Sequence, residues 1–135
     1  MEMPEKIDTN MFAPCGINCQ LCEKHVKKTN PCPGCLIKGS NKTKSVLKCK
    51  IRECLNKKTV KYCGRCSEFP CKLIKKQDKN NIKRYNYSSL ESAKRIKNTG
   101  IKRMMDEDRK KWTCDECNGI ITIQNKECSE CGKKF

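Results

Sequence analysis

The chain has 135 residues, of which 36% are hydrophobic, and a formal net charge of +16. Because that hydrophobic fraction includes fourteen cysteines, only about a quarter of the chain is conventionally apolar, which is too little for an ordinary core. These values exclude a large domain and a membrane-spanning chain, and they favour one modest domain, or two very small ones, held by covalent or metal staples.

We expect the staples to be metal ions rather than disulfides. The first ten residues, MEMPEKIDTN, are polar and do not resemble a signal peptide, so the expected compartment is the reducing cytoplasm. Cysteine pairs of the CxxC type also suit one metal ion better than a structural disulfide. Metal-bound cysteines are thiolates, so three four-cysteine zinc sites would reduce the charge of +16 to about +10.

The N-terminal half is dominated by ten cysteines between Cys15 and Cys71. Residues 1–14 are expected to be an irregular lead-in. Short apolar patterns predict helices, and glycines inside CxxC pairs predict tight turns around thiolates. The predicted elements are a helix over 17–28, a turn at Cys32-Pro33-Gly34-Cys35, a helix over 45–58, a turn at Cys63-Gly64-Arg65-Cys66, and a short helix over 71–74.

A charged, asparagine-rich connection is expected over residues 75–87, before two further helices. Ser88 with Glu91 three residues later is typical of a capping box, and Gly100 is a plausible helix end. The next helix runs from Ile101 to Trp112 and has an apolar stripe, which we expect to pack on the cysteine-rich part.

The C-terminal segment contains the strongest motif, Cys114-x2-Cys117-x10-Cys128-x2-Cys131. Residues 119–123 resemble a strand, and Asn125-Lys126 resembles a turn. Two CxxC turns joined in this way predict a zinc-ribbon hairpin with a closed four-thiolate site, which is typical of structural zinc.

The grouping of the ten N-terminal cysteines is open, because two zinc ions need only eight of them. One interpretation assigns the first ion to two consecutive CxxC pairs. The second ion then takes Cys63 and Cys66, with two of Cys49, Cys54 and Cys71. For the second ion we predict Cys49 and Cys54, which leaves Cys15 and Cys71 as further ligands or spare thiols. An interleaved arrangement or a sulfur-bridged zinc cluster fits the count as well. The predicted ligands of the first ion are Cys19, Cys22, Cys32 and Cys35.

An iron–sulfur cluster is the alternative cofactor. The spacing Cys15-x3-Cys19-x2-Cys22 resembles the [4Fe–4S] motif of radical S-adenosylmethionine enzymes, but 135 residues cannot supply the barrel of those enzymes. A ferredoxin-like cluster using these three cysteines and Cys71 would make the chain a small redox protein or metal carrier.

Other catalytic arrangements find little support, and we assign no catalytic residue. There is no glycine-rich phosphate loop, and the CxxC pairs lack the βαβ setting of a thioredoxin. The one histidine, His25, could complete a metal site, but we expect it to face solvent. The acidic cluster Asp106-Glu107-Asp108 is expected to be a solvated helix face.

Basic residues provide a further clue to function. Residues 72–111 contain fourteen Lys/Arg and five Asp/Glu. The run KLIKKQDKNNIKRYNY, from Lys72 to Tyr87, combines lysines with tyrosines as proteins that bind single-stranded nucleic acid do. The alternative is a solvated surface in a lysine-rich composition.

The motifs CGINCQLC, CPGC and CKIRECLNKKTVKYCGRCSEFPC resemble a cysteine-rich family of unknown function, whose members read CGxxCxxC, CxGC, CxIRxC and FCxxCxxFPC. The segment SSLESAKRIKNTGIKRMMDEDRKKWTC is similar to members in which helices lead through a tryptophan into a zinc ribbon. The resemblance covers about residues 11–135. The sequence departs from the family pattern at Tyr62, where members usually have phenylalanine, and at Met104-Met105, where a tryptophan is more usual. The resemblance implies a metal-binding fold and no particular activity.

We therefore expect a small metal-stapled α+β protein that acts as a zinc-binding structural or binding module. Its expected partner is nucleic acid or a protein, with no membrane association. The predicted units are a cysteine-rich metal-binding domain over 1–78, a basic helical connection over 79–112 and a zinc ribbon over 113–135.

Overall fold

The computed structural model describes residues 1–34, 50–58 and 60–135. Regular structure in these ranges is helical, and none of these helices is both long enough and apolar enough to cross a membrane. The helices are α1 (Glu23–Val26), α2 (Lys50–Lys58), α3 (Lys72–Tyr85), α4 (Ser89–Asn98) and α5 (Ile101–Lys111), with 3-10 turns at Thr9–Met11, Cys19–Leu21 and Cys63–Arg65.

The C-terminal segment is paired without regular strands. Its antiparallel bridges are single residue pairs, Thr113 with Ile120, Ile121 with Cys128 and Glu127 with Lys134, and residue Glu2 bridges Gly119 in the same way. Over the described ranges, the predicted zinc-ribbon hairpin is therefore not confirmed as a hairpin of strands. The expected small, cysteine-rich fold is present, but its regular elements are helices.

The lead-in over residues 1–14 is irregular, as predicted, apart from the 3-10 turn at Thr9–Met11, and several of its side chains are part of the core. The ring of Phe12 is fully buried and lies edge-on to the ring of Tyr62, with centroids 5.8 Å apart. Apolar side chains from every part of the described chain join it. The cluster includes Met3, Ile7, Met11, Leu21, Ile51, Ile74, Ile96, Met104, Ile120 and Ile123.

Helix α3 occupies the range where the sequence predicted a connection, so that prediction was wrong. Lysine has good intrinsic helix propensity, and Ile74 and Asn81, seven residues apart, give the helix a buried face. The helix ends where Asn86 adopts a left-handed conformation (φ 52°) and donates its N–H to the Ile82 carbonyl at 2.9 Å.

The corner between α3 and α4 is held by polar side chains. Ser88 caps α4 as predicted, since its hydroxyl accepts the Glu91 N–H at 3.1 Å. The same hydroxyl donates to the Asp78 carboxylate at 2.8 Å, and Asp78 also accepts the Leu90 N–H at 3.0 Å. The single acidic residue of α3 is thus used inside the fold.

Helix α4 lies directly against the backbone at two glycines, Gly16 next to Cys15 and Gly64 in the Cys63–Cys66 turn. A Cβ atom added at Gly16 would lie 2.1 Å from the Ser89 carbonyl oxygen, and one added at Gly64 would lie 2.2 Å from that of Ala93. The glycine of the Cys63–Cys66 turn is therefore required by packing, in addition to any role in shaping the turn. Both glycines lie against Ala93, so Cys15 and Cys63 are positioned beside the same face of the helix.

Gly100 separates α4 from α5, as predicted, with φ at +83°. The prediction for the acidic cluster of α5 was wrong at Asp108, which is only 4% exposed. Its carboxylate accepts from the Arg95 guanidinium at 2.9 Å and from the Asn18 amide at 3.1 Å. Asp106 and Glu107 are exposed, as expected.

The first predicted helix is shorter than expected. The pattern over 17–28 forms the 3-10 turn Cys19–Leu21 and then α1, because Cys22 between them is extended (ψ 132°). Of the predicted helix over 45–58, residues 50–58 are helical and residues 45–49 lie outside the described ranges.

Candidate metal centres

Four C-terminal cysteines are gathered at one point. The Sγ atoms of Cys114, Cys117, Cys128 and Cys131 all lie within 4.8 Å of one another. Two of the separations are 3.8 Å, between Cys114 and Cys131, and 3.4 Å, between Cys117 and Cys128. A tetrahedral ion with metal–sulfur bonds of about 2.3 Å places its sulfurs about 3.8 Å apart, so the spacing suits one metal ion.

Two backbone turns of the same kind present these thiols. In the first, the Asn118 N–H donates to the Cys114 carbonyl at 3.1 Å; in the second, the Gly132 N–H donates to the Cys128 carbonyl at 3.1 Å. Both turn residues have positive φ, 62° at Asn118 and 76° at Gly132. A Cβ at Gly119 would lie 2.6 Å from the Cys128 sulfur, so this position must stay small.

The thiols influence one another's ionisation. The pKa of Cys128 falls to about 7: burial opposes the decrease, but backbone N–H groups of Cys131 and Glu130 donate to its sulfur, the latter at 3.4 Å. The pKa of Cys117 rises to about 12; the Gly119 N–H acts to lower it, but the neighbouring Cys128 sulfur and burial prevail. One thiolate forms readily here, and a cation would supply the charge that lets its neighbours ionise.

A second group of four cysteines surrounds a small cavity, which we call the small cysteine cavity. Its volume is about 20 Å³, close to the minimum of about 10–15 Å³ that one water-sized sphere requires. The remainder of its wall is apolar. The lining residues are Cys54, Cys63, Cys66 and Cys71, with Ile51, Phe69, Leu73 and Ile74.

A third group lines a wider space, the large cysteine cavity, of about 230 Å³. Cys15, Cys19 and Cys32 are buried, with 4–7% exposure, and Cys22 is half-buried. Polar groups complete the wall: Gln124 donates its amide N–H to the Cys22 sulfur at 3.2 Å. The wall also includes Lys24 and His25, so nitrogen-bearing side chains line the same cavity as the thiols.

Each cavity is lined by the described members of one predicted set, Cys19, Cys22 and Cys32 in one and Cys54, Cys63 and Cys66 in the other, with one further cysteine added to each. Cys15 and Cys71, predicted as spare or additional, each line a cavity, whereas Cys35 and Cys49 lie outside the described ranges. Among described residues, only the C-terminal set has three or more ligand atoms within 4.8 Å of one another. No disulfide joins the twelve described cysteines.

His25 was expected to face solvent, but the structure differs. It is half-buried, and its Nδ1 lies 2.5 Å from the Cys32 carbonyl oxygen. The Cys32 N–H in turn donates to the Lys24 carbonyl at 2.8 Å. These two contacts fix Cys32 beside α1. The spacing from Cys22 to His25 placed this histidine near the first cysteine motif, but no sequence signal pointed to its contact with Cys32 or to the role of Gln124, about a hundred residues away.

The chain therefore contains a cysteine-rich domain whose thiol clusters are compatible with metal binding. Residues 11–76 match the family described as "Protein of unknown function (DUF3795)". This match confirms the predicted resemblance to a cysteine-rich family of unknown function over residues 11–76; the resemblance predicted for residues 77–135 lies outside the matched range. Neither the curated proteins nor the solved structures yielded a match to this chain.

Proposed function

We propose that this protein is a metal-stabilised module that binds the phosphate backbone of nucleic acid through α3. The observation that carries the proposal is a stripe of five exposed lysines on that helix. They are spaced at three and four residues, so they lie on one helix face over a length of about 16 Å. This lysine stripe consists of Lys72, Lys75, Lys76, Lys79 and Lys83.

Among the described residues, no ion pair joins a lysine of the stripe to a carboxylate. Asp78, the single acidic residue of α3, is turned to the α4 corner. In contrast, half of the eight basic residues of α4 and α5 form ion pairs, among them Arg95 with Asp108, Lys94 with Glu91 at 3.3 Å and Lys110 with Asp106 at 3.4 Å. The unpaired positive charge of residues 72–111 is thus densest on α3, where a line of phosphates can approach it.

Base stacking contributes little to this proposal. The sequence suggested that tyrosines accompany the lysines, but Tyr87 packs edge-on against Trp112, with centroids 6.4 Å apart. Burial raises the pKa of its hydroxyl to about 12. Tyr85 is half-buried and lines the large cysteine cavity. We therefore expect binding that depends on phosphate charge and shows weak sequence preference.

The metals in this proposal are structural. Zinc suits the C-terminal site, because four cysteines with tetrahedral spacing leave no position for a substrate. The small cysteine cavity suits a second single ion because its volume of about 20 Å³ leaves no room for a larger group beside its four cysteines. A reducing compartment such as the cytoplasm would keep both sets of thiols available for metal.

The test is fluorescence anisotropy with a labelled single-stranded RNA at increasing salt. Changing the five stripe lysines to glutamine should weaken binding strongly at low salt. If every stripe lysine contacts a phosphate, the slope of log K against log salt should become smaller by about 3.5, since each contact on a single strand contributes about 0.7.

A matched control removes five other exposed lysines and therefore the same charge. It should retain most of the affinity, because these lysines lie on α4 and α5. If the unchanged protein shows no binding at low salt, or if both variants lose affinity equally, the assignment to α3 is wrong. Binding to anionic vesicles without binding to RNA would also contradict it. The control positions are Lys94, Lys97, Lys102, Lys110 and Lys111.

A further inference from the structure

The two N-terminal cysteine cavities differ about tenfold in volume, 20 Å³ against 230 Å³, although each is lined by four described cysteines. A single zinc ion draws four sulfurs to about 3.8 Å from one another. The C-terminal site already has that spacing. Around neither N-terminal cavity do three described ligand atoms lie within 4.8 Å of one another, so the volume is what distinguishes the two cavities. The space of about 230 Å³ that four cysteines help to line is larger than one ion fills.

The chemistry of the wall suits a sulfur-rich, negatively charged group. Four thiolates around an iron–sulfur cluster leave a net negative charge, which nearby cationic side chains and N–H donors stabilise. The Gln124 amide donates to the Cys22 sulfur at 3.2 Å, and Lys24 and His25 lie on the same wall. Burial of Cys15, Cys19 and Cys32 provides the water-poor surroundings that protect such a cluster.

We propose that Cys15, Cys19, Cys22 and Cys32 hold an iron–sulfur cluster in the large cysteine cavity. The fourth ligand is then Cys32 rather than Cys71, because Cys71 lines the small cysteine cavity instead. A polynuclear cluster suits the larger volume of this cavity, since iron and sulfide lie between the thiolates. This proposal is independent of nucleic-acid binding by α3, and either can fail alone.

The test uses the full chain purified without oxygen. Iron and acid-labile sulfide should be present in equal amounts, with visible charge-transfer absorption and an electron paramagnetic resonance signal after reduction by dithionite. Cys15→Ser and Cys32→Ser should reduce iron and sulfide to background. Cys71→Ser should retain both. Zinc content and circular dichroism, measured for every variant, show whether the fold persists.

Gln124→Leu provides a test that keeps all four thiolates. Removing the N–H donor to Cys22 should leave the iron content unchanged and lower the midpoint potential of the cluster, because hydrogen bonds to sulfur stabilise the reduced, more negative state. A potential identical to that of the unchanged protein would contradict the proposed position of the cluster, even if the cysteine variants fail to fold.

Three outcomes would overturn the proposal. The first is a colourless anaerobic preparation in which Cys15→Ser removes one zinc and no iron. The second is iron that survives Cys15→Ser but is lost with Cys71→Ser or Cys35→Ser. The third is a cluster that appears only after chemical reconstitution and is insensitive to all of these changes, which would be adventitious iron only.

Discussion

Asp108 joins three separate parts of the chain at a single buried carboxylate. It lies on α5, pairs with Arg95 of α4 at 2.9 Å and accepts from Asn18, next to the first cysteine motif, at 3.1 Å. A carboxylate is expensive to bury unless it is paired and hydrogen-bonded, and here both conditions are met. The residue therefore fixes α4 and α5 relative to the large cysteine cavity.

We expect Asp108→Asn to lower the free energy of unfolding by about 2 kcal/mol, because it weakens two hydrogen bonds to a buried charge. Urea denaturation followed by circular dichroism measures this. The matched control is Asp106→Asn, which removes an exposed pair with Lys110 whose side chains are 61% and 73% exposed. That change should cost less than about 0.5 kcal/mol. Equal effects for the two variants would show that Asp108 has no special role.

Sequence patterns predicted the residues whose structural role is local. The Ser88 cap and the Gly100 break depend on neighbours within a few positions, and both are present. The burial of Asp108 could not be predicted in this way, because its partners lie thirteen and ninety positions away. The cysteine grouping is non-local for the same reason: spacing shows which thiols form pairs, whereas packing determines which pairs meet.

At the scale of elements, the lysine- and asparagine-rich range 75–87 shows why one prediction failed. Its composition resembles a linker, because most of its side chains are exposed. A helix on the surface of a small core needs only a narrow buried face, and Ile74 and Asn81 supply it here. Capping by Asn86 and by the Asp78–Ser88 corner then fixes the limits of α3 and α4.

The packing of α4 on the cysteine turns gives an element-scale prediction. We expect Gly64→Ala to cost at least about 2 kcal/mol in unfolding free energy, because its Cβ would lie 2.2 Å from the backbone oxygen of Ala93 and neither backbone can move alone. Metal content should fall as well, since Cys63 and Cys66 flank the glycine. Urea denaturation and metal analysis on the same sample measure both effects.

Gly100→Ala is the control for this prediction. Nothing lies within 4 Å of a Cβ at Gly100, and only its positive φ of 83° is unfavourable for alanine. The expected cost is about 1 kcal/mol, with unchanged metal content. A Gly64→Ala protein as stable as the Gly100→Ala protein would mean that α4 does not press on the Cys63–Cys66 turn.

At the scale of the whole molecule, the C-terminal metal site is attached to the common core. Ile120 and Ile123 belong to the main hydrophobic cluster, and Trp112 packs against both that cluster and the smaller one around Cys114. The Ile123 N–H donates to the Leu21 carbonyl at 3.1 Å. The division at residues 112 and 113 remains a prediction from sequence, but these contacts couple the segment to the helices.

We therefore expect Cys117→Ser to destabilise the entire protein and not only residues 113–135. It should remove one equivalent of zinc and lower the free energy of unfolding by at least about 2 kcal/mol, because binding energy at a structural site is folding energy. Trp112 fluorescence and helical circular dichroism should lose their signals at the same, reduced urea concentration, as one cooperative unit requires.

The control is Asp115→Asn, which removes an exposed ion pair with Lys133 beside the site and leaves all four thiols in place. It should retain zinc and the original midpoint. If Cys117→Ser instead shifts the fluorescence transition alone, the terminal segment unfolds independently, and the core contacts of Ile120 and Ile123 are too weak to couple it. Coincident transitions would mean that metal at one end of the chain supports a core that its sparse apolar residues cannot maintain unaided.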